Sequence, residues 1–339
     1  MNHRSLALAT VAAVAVVAAN PVLAAPKTDL MLAVHGEPES GFDPTQGWGE
    51  YGYPLIQSTL LKRDAKLDLV GDLATRWSLG DDGRTWTVTL RPDVKFSDGH
   101  ALTAEDVVFT FETAKKAGSV LDLTELESVK AIDATTVTFT TKAPRITFLN
   151  NFAVLGIVPK HAYGEKYGRA PIGSGPFRLV SWTEGEQAIF EPNPTYYGTK
   201  SPFAKVTFLF TKDDASYAAA KGGKLDVAAI SNALAGDVPA NMTRIVAKTV
   251  DNRGLAFPMR PNKGEKTAKG APIGNDVTSD PAIRKAIDAA LDRKALATGV
   301  LNGFGRPAWG PADDLAWDNP DHRLPDADPA RAKKILADA

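Results

Sequence analysis

Residues 73–107 read LATRWSLGDDGRTWTVTLRPDVKFSDGHALTAEDV, and the rest of the chain is organised around them. Residues 73–79 and 85–90 are two short apolar runs, separated by Asp81-Asp82-Gly83, a turn signal that closes a hairpin. Trp86, Val88 and Leu90 alternate with Thr85, Thr87 and Thr89, so one face of the second strand is apolar. Arg91-Pro92 ends it, because proline offers no ladder donor. Residues 94–96 read as a further extended piece, and Asp98-Gly99 turns the chain again. Thr103 then caps a helix. Asp106, three residues on, returns a bond to the cap in place of the usual Glu or Gln, and Val107, Val108 and Phe111 supply a buried face. These residues carry turns, a cap and a core, and form no catalytic constellation.

The same stretch carries a resemblance. The pattern A-x-x-W, D-G, a strand ending L-R, V-x-F-x-D-G and T-A-x-D-V falls on Ala74 and Trp77; Asp82 and Gly83; Leu90 and Arg91; Val94, Phe96, Asp98 and Gly99; and Thr103, Ala104, Asp106 and Val107. It resembles the extracellular solute-binding proteins of ABC importers, family 5, which take oligopeptides, dipeptides and nickel complexes. Two more motifs agree with it. Gly173-Ser174-Gly175-Pro176-Phe177 is similar to the family's G-T-G-P-Y/F, and the run from Arg284 to Arg293 is similar to R-x-A-(I/L)-x-x-A-(I/L)-D-R. A nucleophile elbow around Ser174 fails, since the positions two before and two after hold Ile172 and Pro176.

The resemblance implies an α/β, periplasmic-binding-protein-like two-lobe fold (type II, peptide-binding cluster) with an extra middle domain and its C-terminal part missing. The expected organisation is a signal peptide at 1–24, an incomplete lobe I at 25–50 and 172–250, the middle domain at 51–171, and an incomplete start of lobe II at 251–339. The leader is also legible directly: Arg4 gives a basic start, residues 6–19 an apolar run too short to span a membrane, and Val22-Leu23-Ala24 a small-residue cleavage site.

Composition bounds the function. There is no cysteine, which removes disulfides, thiolate metal sites, cysteine nucleophiles and a lipid-modified cysteine at the cleavage point. A freely diffusing periplasmic protein is therefore expected. The chain has 44% hydrophobic and 23% charged residues and a formal net charge of −1, ordinary for folded domains and without a basic signature for nucleic acid. About 315 residues of mature chain call for two or more domains.

The segments between the motifs supply the candidate site. Residues 30–34 read as a first strand, and Gly41-Phe42-Asp43-Pro44 resembles the family's L-D-P turn. Residues 46–53, QGWGEYGY, place Trp48, Tyr51 and Tyr53 among glycines, either as walls of a ligand slot or as ordinary packing before a helix expected at 54–61. Leu155-Gly156 lead into Ile157-Val158-Pro159-Lys160-His161, similar to the family's I-V-P-K-H, in which a strand returns to the cleft edge before a helix. His161 reads as a lone histidine with no second ligand at metal spacing. Leu225-Asp226-Val227-Ala228 resembles G-x-(I/L)-D-V-A, which puts Ser231 and Asn232 at the carboxyl end of a strand, a usual ligand position in α/β sheets. Arg253 opens a segment where the family carries a strand ending L-x-F-N, but the asparagine is absent.

The function expected is that of a periplasmic receptor. It would close two lobes around a peptide or similar small solute and deliver it to permease subunits in the inner membrane, as a monomer, with no catalytic residue, cofactor, metal or nucleic acid. Carriage of a nickel or other metal chelate and a periplasmic hydrolase are the alternatives. The residues that clamp peptide ends in the family usually lie beyond position 339.

Overall fold

The computed structural model describes residues 27–339 except 34–35, 51–53, 119–120, 248–252, 269, 311, 314, 316 and 324–326. The quoted stretch forms one side of a four-stranded antiparallel sheet, its edge strand and the strand beside it. Strands β4 (Ala74–Leu79) and β5 (Thr85–Leu90) make the hairpin, with Trp77 opposite Val88. Strands β6 (Leu126–Ala131) and β7 (Thr136–Thr141) complete it in the order β4-β5-β7-β6. Alternation in β5 and β7 does the work: Trp86, Val88, Leu90, Val137 and Phe139 are buried, while the threonines between them are partly exposed. Helix α1 (Ala104–Ala117) closes this face with Val107, Phe111 and Ala114. Phe111, Phe139, Phe148 and Phe152 share ring contacts, the closest at 4.7 Å between centroids. Such tilted and edge-on aromatic packing adds to the burial gain.

Asp106 starts α1 as the spacing predicts. Its Oδ2 accepts from the Thr103 backbone N–H at 2.9 Å and from the Thr103 hydroxyl at 3.1 Å. Its Oδ1 accepts from the Lys160 N–H at 2.9 Å, so one buried carboxylate also ties residue 160 to the helix.

The second unit is a five-stranded mixed sheet in the order β11-β1-β10-β9-β8. It is built from β1 (Asp29–Ala33), β8 (Phe177–Thr183), β9 (Gln187–Pro192), β10 (Lys205–Leu209) and β11 (Val227–Ala228). Strand β1 runs parallel to both β10 and β11, and α2 (Asp213–Lys221) makes the crossover between those two. The pair β2 (Leu61–Arg63) and β3 (Leu69–Gly71) forms a separate ribbon.

The glycine motif joins the two sheets. Gly175 N–H donates to the Ile56 carbonyl at 2.7 Å, and the Gly173 carbonyl accepts from the Ser97 N–H at 2.9 Å. An added Cβ on Gly173 would stand 2.1 Å from the Ile56 carbonyl oxygen, so only glycine fits there. Asn193, fully buried, donates through Nδ2 to the Gly175 carbonyl at 2.9 Å. Ser174 is likewise fully buried, which leaves no approach for a substrate to its hydroxyl.

Three expectations fail locally. Residues 54–61 form no helix: Leu55 takes φ 60°, outside the helical region, and the side chains of Gln57 and Ser58 bond across the fold instead. Residues 155–159 form neither strand nor helix; the Ile157 N–H reaches the Ser58 carbonyl at 2.8 Å and the Val158 N–H the Thr110 hydroxyl at 3.0 Å. Residues 253–259 form no strand.

Towards the end, α3 (Pro281–Ala290) starts on the Asp280 cap, whose carboxylate accepts from Ala282 N–H at 2.8 Å. It packs on α5 (Pro329–Asp338) through Ala286, Ala289 and Ala332, with α4 (Arg293–Gly299) between them in sequence. Among the described residues no helix is long and apolar enough to cross a membrane.

Candidate functional site

The parallel strands β1 and β11 end side by side, with Ala33 opposite Ala228. Asp226 fixes this edge: its Oδ2 accepts from the Met31 N–H at 2.9 Å, and Lys27 Nζ meets its Oδ1 at 2.5 Å. These contacts hold its carboxyl below the usual range against a burial effect in the other direction. The chain leaves the edge through Ala229, bonded to the Ala33 carbonyl at 2.8 Å. Ser231, partly exposed, and Asn232, exposed, follow directly. This is the carboxyl end of two parallel strands, where α/β sheets present ligands.

Trp48 stands over the other end of the same sheet. The 3-10 turn Pro44–Gln46 is capped by Asp43, whose Oδ1 accepts from the Thr45 N–H at 2.9 Å. Phe42 is fully buried, with its ring 4.6 Å from both Trp48 and Trp182 and 5.3 Å from Phe190. The Trp48 indole N–H donates to the Pro54 carbonyl at 2.7 Å, which fixes the ring while leaving it half-buried. Leu155 is buried and, with Pro44, Gly47, Trp48 and Glu50, borders a cavity of about 10 Å³. That is room for roughly one water and no more. Gly156 is a packing joint: a Cβ there would lie 2.7 Å from the Gln57 Cβ and 3.0 Å from the ring carbons of Pro44 and Pro54.

The structure therefore brings Trp48, Leu155 and Gly156 together around Pro44, and sets Ser231 and Asn232 past the opposite edge strand of the sheet. Arg253 is exposed in the irregular segment 253–259. Tyr51 and Tyr53 lie outside the described residues.

A larger feature adjoins the same turn. A groove of about 510 Å³ is lined by Glu39, Asp43, Gln46, Tyr163, Glu165 and Arg169, among others. Its volume falls in the range of small-molecule sites. Several of its lining side chains are held by hydrogen bonds and ion pairs. The Tyr163 hydroxyl bonds to Asp43 Oδ2 at 3.0 Å and to Thr45 Oγ1 at 2.7 Å, and burial pushes its phenol up. Behind it, the buried Tyr167 hydroxyl donates to the Ile172 carbonyl at 2.7 Å and accepts from Gln57 Nε2 at 3.0 Å. Arg169 stacks over Trp182 at 4.2 Å and pairs with Glu37 at 2.8 Å, which holds the Glu37 carboxyl below its ordinary range. Residues 163–169 carry no periodicity, so their Tyr, Gly and Arg look like a plain loop in the sequence. The presence of two tyrosines and an arginine within seven residues is the signal that was there to use.

The reading of His161 as isolated is also corrected. Its Nε2 lies 2.7 Å from Asp98 Oδ2, and His100 Nδ1 lies 3.1 Å from the same oxygen.

The model of the bacterial extracellular solute-binding proteins, family 5 Middle, matches residues 68–339. The chain belongs to this family. Protein XP55 of Streptomyces lividans is 36% identical over 325 residues, covering 91% of this chain and 57% of XP55. The structure of NikZ from Campylobacter jejuni in complex with Ni(L-His) is similar at a TM-score of 0.79 and 25% identity, over 93% of this chain and 63% of NikZ. The oligopeptide-binding protein AppA from Bacillus subtilis, in complex with a nonapeptide, is similar at 0.73 and 26%, over 93% and 64%. The mixed α/β fold of this family 5 member is thus that of the periplasmic binding proteins of the peptide and nickel cluster. It spans about six tenths of the length of these three proteins.

Proposed function

We propose that this family 5 protein is the solute-capturing receptor of an ABC importer, acting in the periplasm without turnover. It would bind a peptide or similar small solute and pass it to the membrane permease. The observation that carries the reading is the family match over residues 68–339, together with the similarity to a nonapeptide-bound structure. The domain plan goes with it: lobe I from 25–50 and 172–250, a middle domain from 51–171, and lobe II beginning at 251. The ranges of the two sheets support that plan, since the five-stranded sheet draws on residues 29–33 and 177–228 and the four-stranded sheet on 74–141.

The ligand would contact Trp48 and the groove beside it, and Ser231 and Asn232 at the β1–β11 edge, with closure as a hinge motion. Replacing Trp48 by Ala should weaken solute binding by about 1–3 kcal/mol, the loss of a large aromatic contact. Calorimetric titration checks this alongside a thermal melt, since Trp48 also packs on Phe42. An unchanged dissociation constant in a folded variant would remove Trp48 from the site.

A second reading, carriage of a metal–amino acid chelate, is favoured by the likeness to NikZ. It is discriminated by whether solute binding requires the metal.

A further inference from the structure

We propose that Asp98, His100 and His161 form a surface site for a divalent transition-metal ion of the zinc, nickel or copper class. One ligand atom from each of the three lies within 4.8 Å of the others. Asp98 Oδ2 is 2.7 Å from His161 Nε2 and 3.1 Å from His100 Nδ1, and the two imidazole centroids are 4.1 Å apart. On a tetrahedral ion with bonds of about 2.1 Å, neighbouring ligand atoms stand about 3.4 Å apart. The two pairs made by Asp98 would open by about 0.3–0.7 Å to reach that spacing, and the widest pair, at most 4.8 Å apart, would close by no more than about 1.4 Å.

The ligands are held from behind. The His100 backbone N–H donates to Asp98 Oδ1 at 3.1 Å, which leaves Oδ2 aimed at both rings. The turn beneath is closed by the Phe96 N–H to the His100 carbonyl and the Gly99 N–H to the Phe96 carbonyl, each at 2.9 Å. On the other side, Lys160 is anchored by its backbone bond to the buried Asp106, and the His161 ring lies edge-on to the buried Phe96 at 5.9 Å. Two rigid segments, 61 residues apart in sequence from His100 to His161, thus meet with their donors converging. Two imidazoles and one carboxylate are the donor set that favours borderline ions over Mg²⁺ or Ca²⁺, and exposure leaves the remaining coordination positions to water or a small ligand. None of the three lines the groove beside Asp43 and Tyr163, so the site is separate from the solute contacts proposed above.

Equilibrium dialysis against zinc chloride and copper(II) chloride in a non-chelating buffer tests the site, on the wild-type chain, His100→Ala, His161→Ala and, as a control, His322→Ala. The wild type and the control should take up one ion per chain. Each of the other two should bind on the order of tenfold or more weakly, since even a partner behind a ligand is worth that much. The His100 side chain is exposed, so the metal-free melt of His100→Ala should match the wild type, while the melt of His161→Ala reads any loss of its packing on Phe96 separately from metal uptake. X-ray absorption of the zinc-loaded protein should show two imidazole nitrogens. No uptake by the wild type, uptake that survives either substitution at full strength, or a shell without imidazole would overturn the proposal.

Discussion

Replacing Gly173 by Ala should loosen the joint between the two sheets. The new Cβ would sit 2.1 Å from the Ile56 carbonyl oxygen and 2.7 Å from its carbon, where ordinary contact begins at 3.4 Å. The two backbones must therefore part by roughly 1 Å, more than a packed interior absorbs without loss. Two hydrogen bonds lie directly in the way: Gly175 N–H to Ile56 at 2.7 Å and Ser97 N–H to Gly173 at 2.9 Å. At about 1 kcal/mol for each bond, with about 1–3 kcal/mol for the forced repacking, the expected loss is about 3–5 kcal/mol. That is a large fraction of a typical domain stability of about 5–15 kcal/mol. With a urea slope near 3 kcal/mol/M, the midpoint should fall by about 1–2 M. Gly164→Ala is the control, because a Cβ there meets nothing within 4 Å. If the two variants unfold at midpoints within ~0.2 M of each other, the close approach at Gly173 does not hold the sheets and the reasoning is refuted.

Asp106→Ala should destabilise by about 2–4 kcal/mol, because it removes a helix cap and strands the Lys160 N–H that the same carboxylate satisfies; urea unfolding that shows less than about 1 kcal/mol would mean water replaces both bonds. The hairpin turn should titrate in acid. The Thr85 hydroxyl, then the Arg84 and Thr85 N–H groups, hold the Asp82 carboxyl at about 2, below its ordinary 3.8. A depressed folded-state value gives stability that is present above about pH 4 and lost as the pH falls towards 2. The stability gap between wild type and Asp82→Asn should accordingly narrow over that window, and a gap that stays flat would show that the turn bonds do not matter.

What the sequence made legible is what short-range chemistry decides. The alternation of Thr with Trp86, Val88 and Leu90 fixed β5, Thr103 and Asp106 fixed the start of α1, and Asp280-Pro281 fixed the start of α3. The failures are long-range. Residues 54–61 have helix-like apolar spacing, yet Gln57 and Ser58 find partners at Phe42, Tyr167 and Ser174, up to 116 positions away. No local pattern announces those bonds, and the positive φ of Leu55 decides against the helix. The candidate site is mixed in the same way. Trp48 could be picked out by its composition of neighbours, whereas Tyr163, Tyr167 and Arg169 matter only because the fold lays them against residues 37–57. Asp98, His100 and His161 are three unremarkable polar positions until the turn and the residue 160 anchor bring them together.

The central claim is that the protein captures a solute and releases it unchanged. Its most direct test is to incubate the protein, purified as its host makes it, with a mixture of peptides, amino acid conjugates and metal–histidine complexes, then wash, denature and identify what was retained by mass spectrometry. We expect one chemical class to be held at close to one molecule per chain, with its mass intact. Retention no better than a heat-denatured control, or the appearance of a cleaved or modified product in place of the captured molecule, would contradict the account.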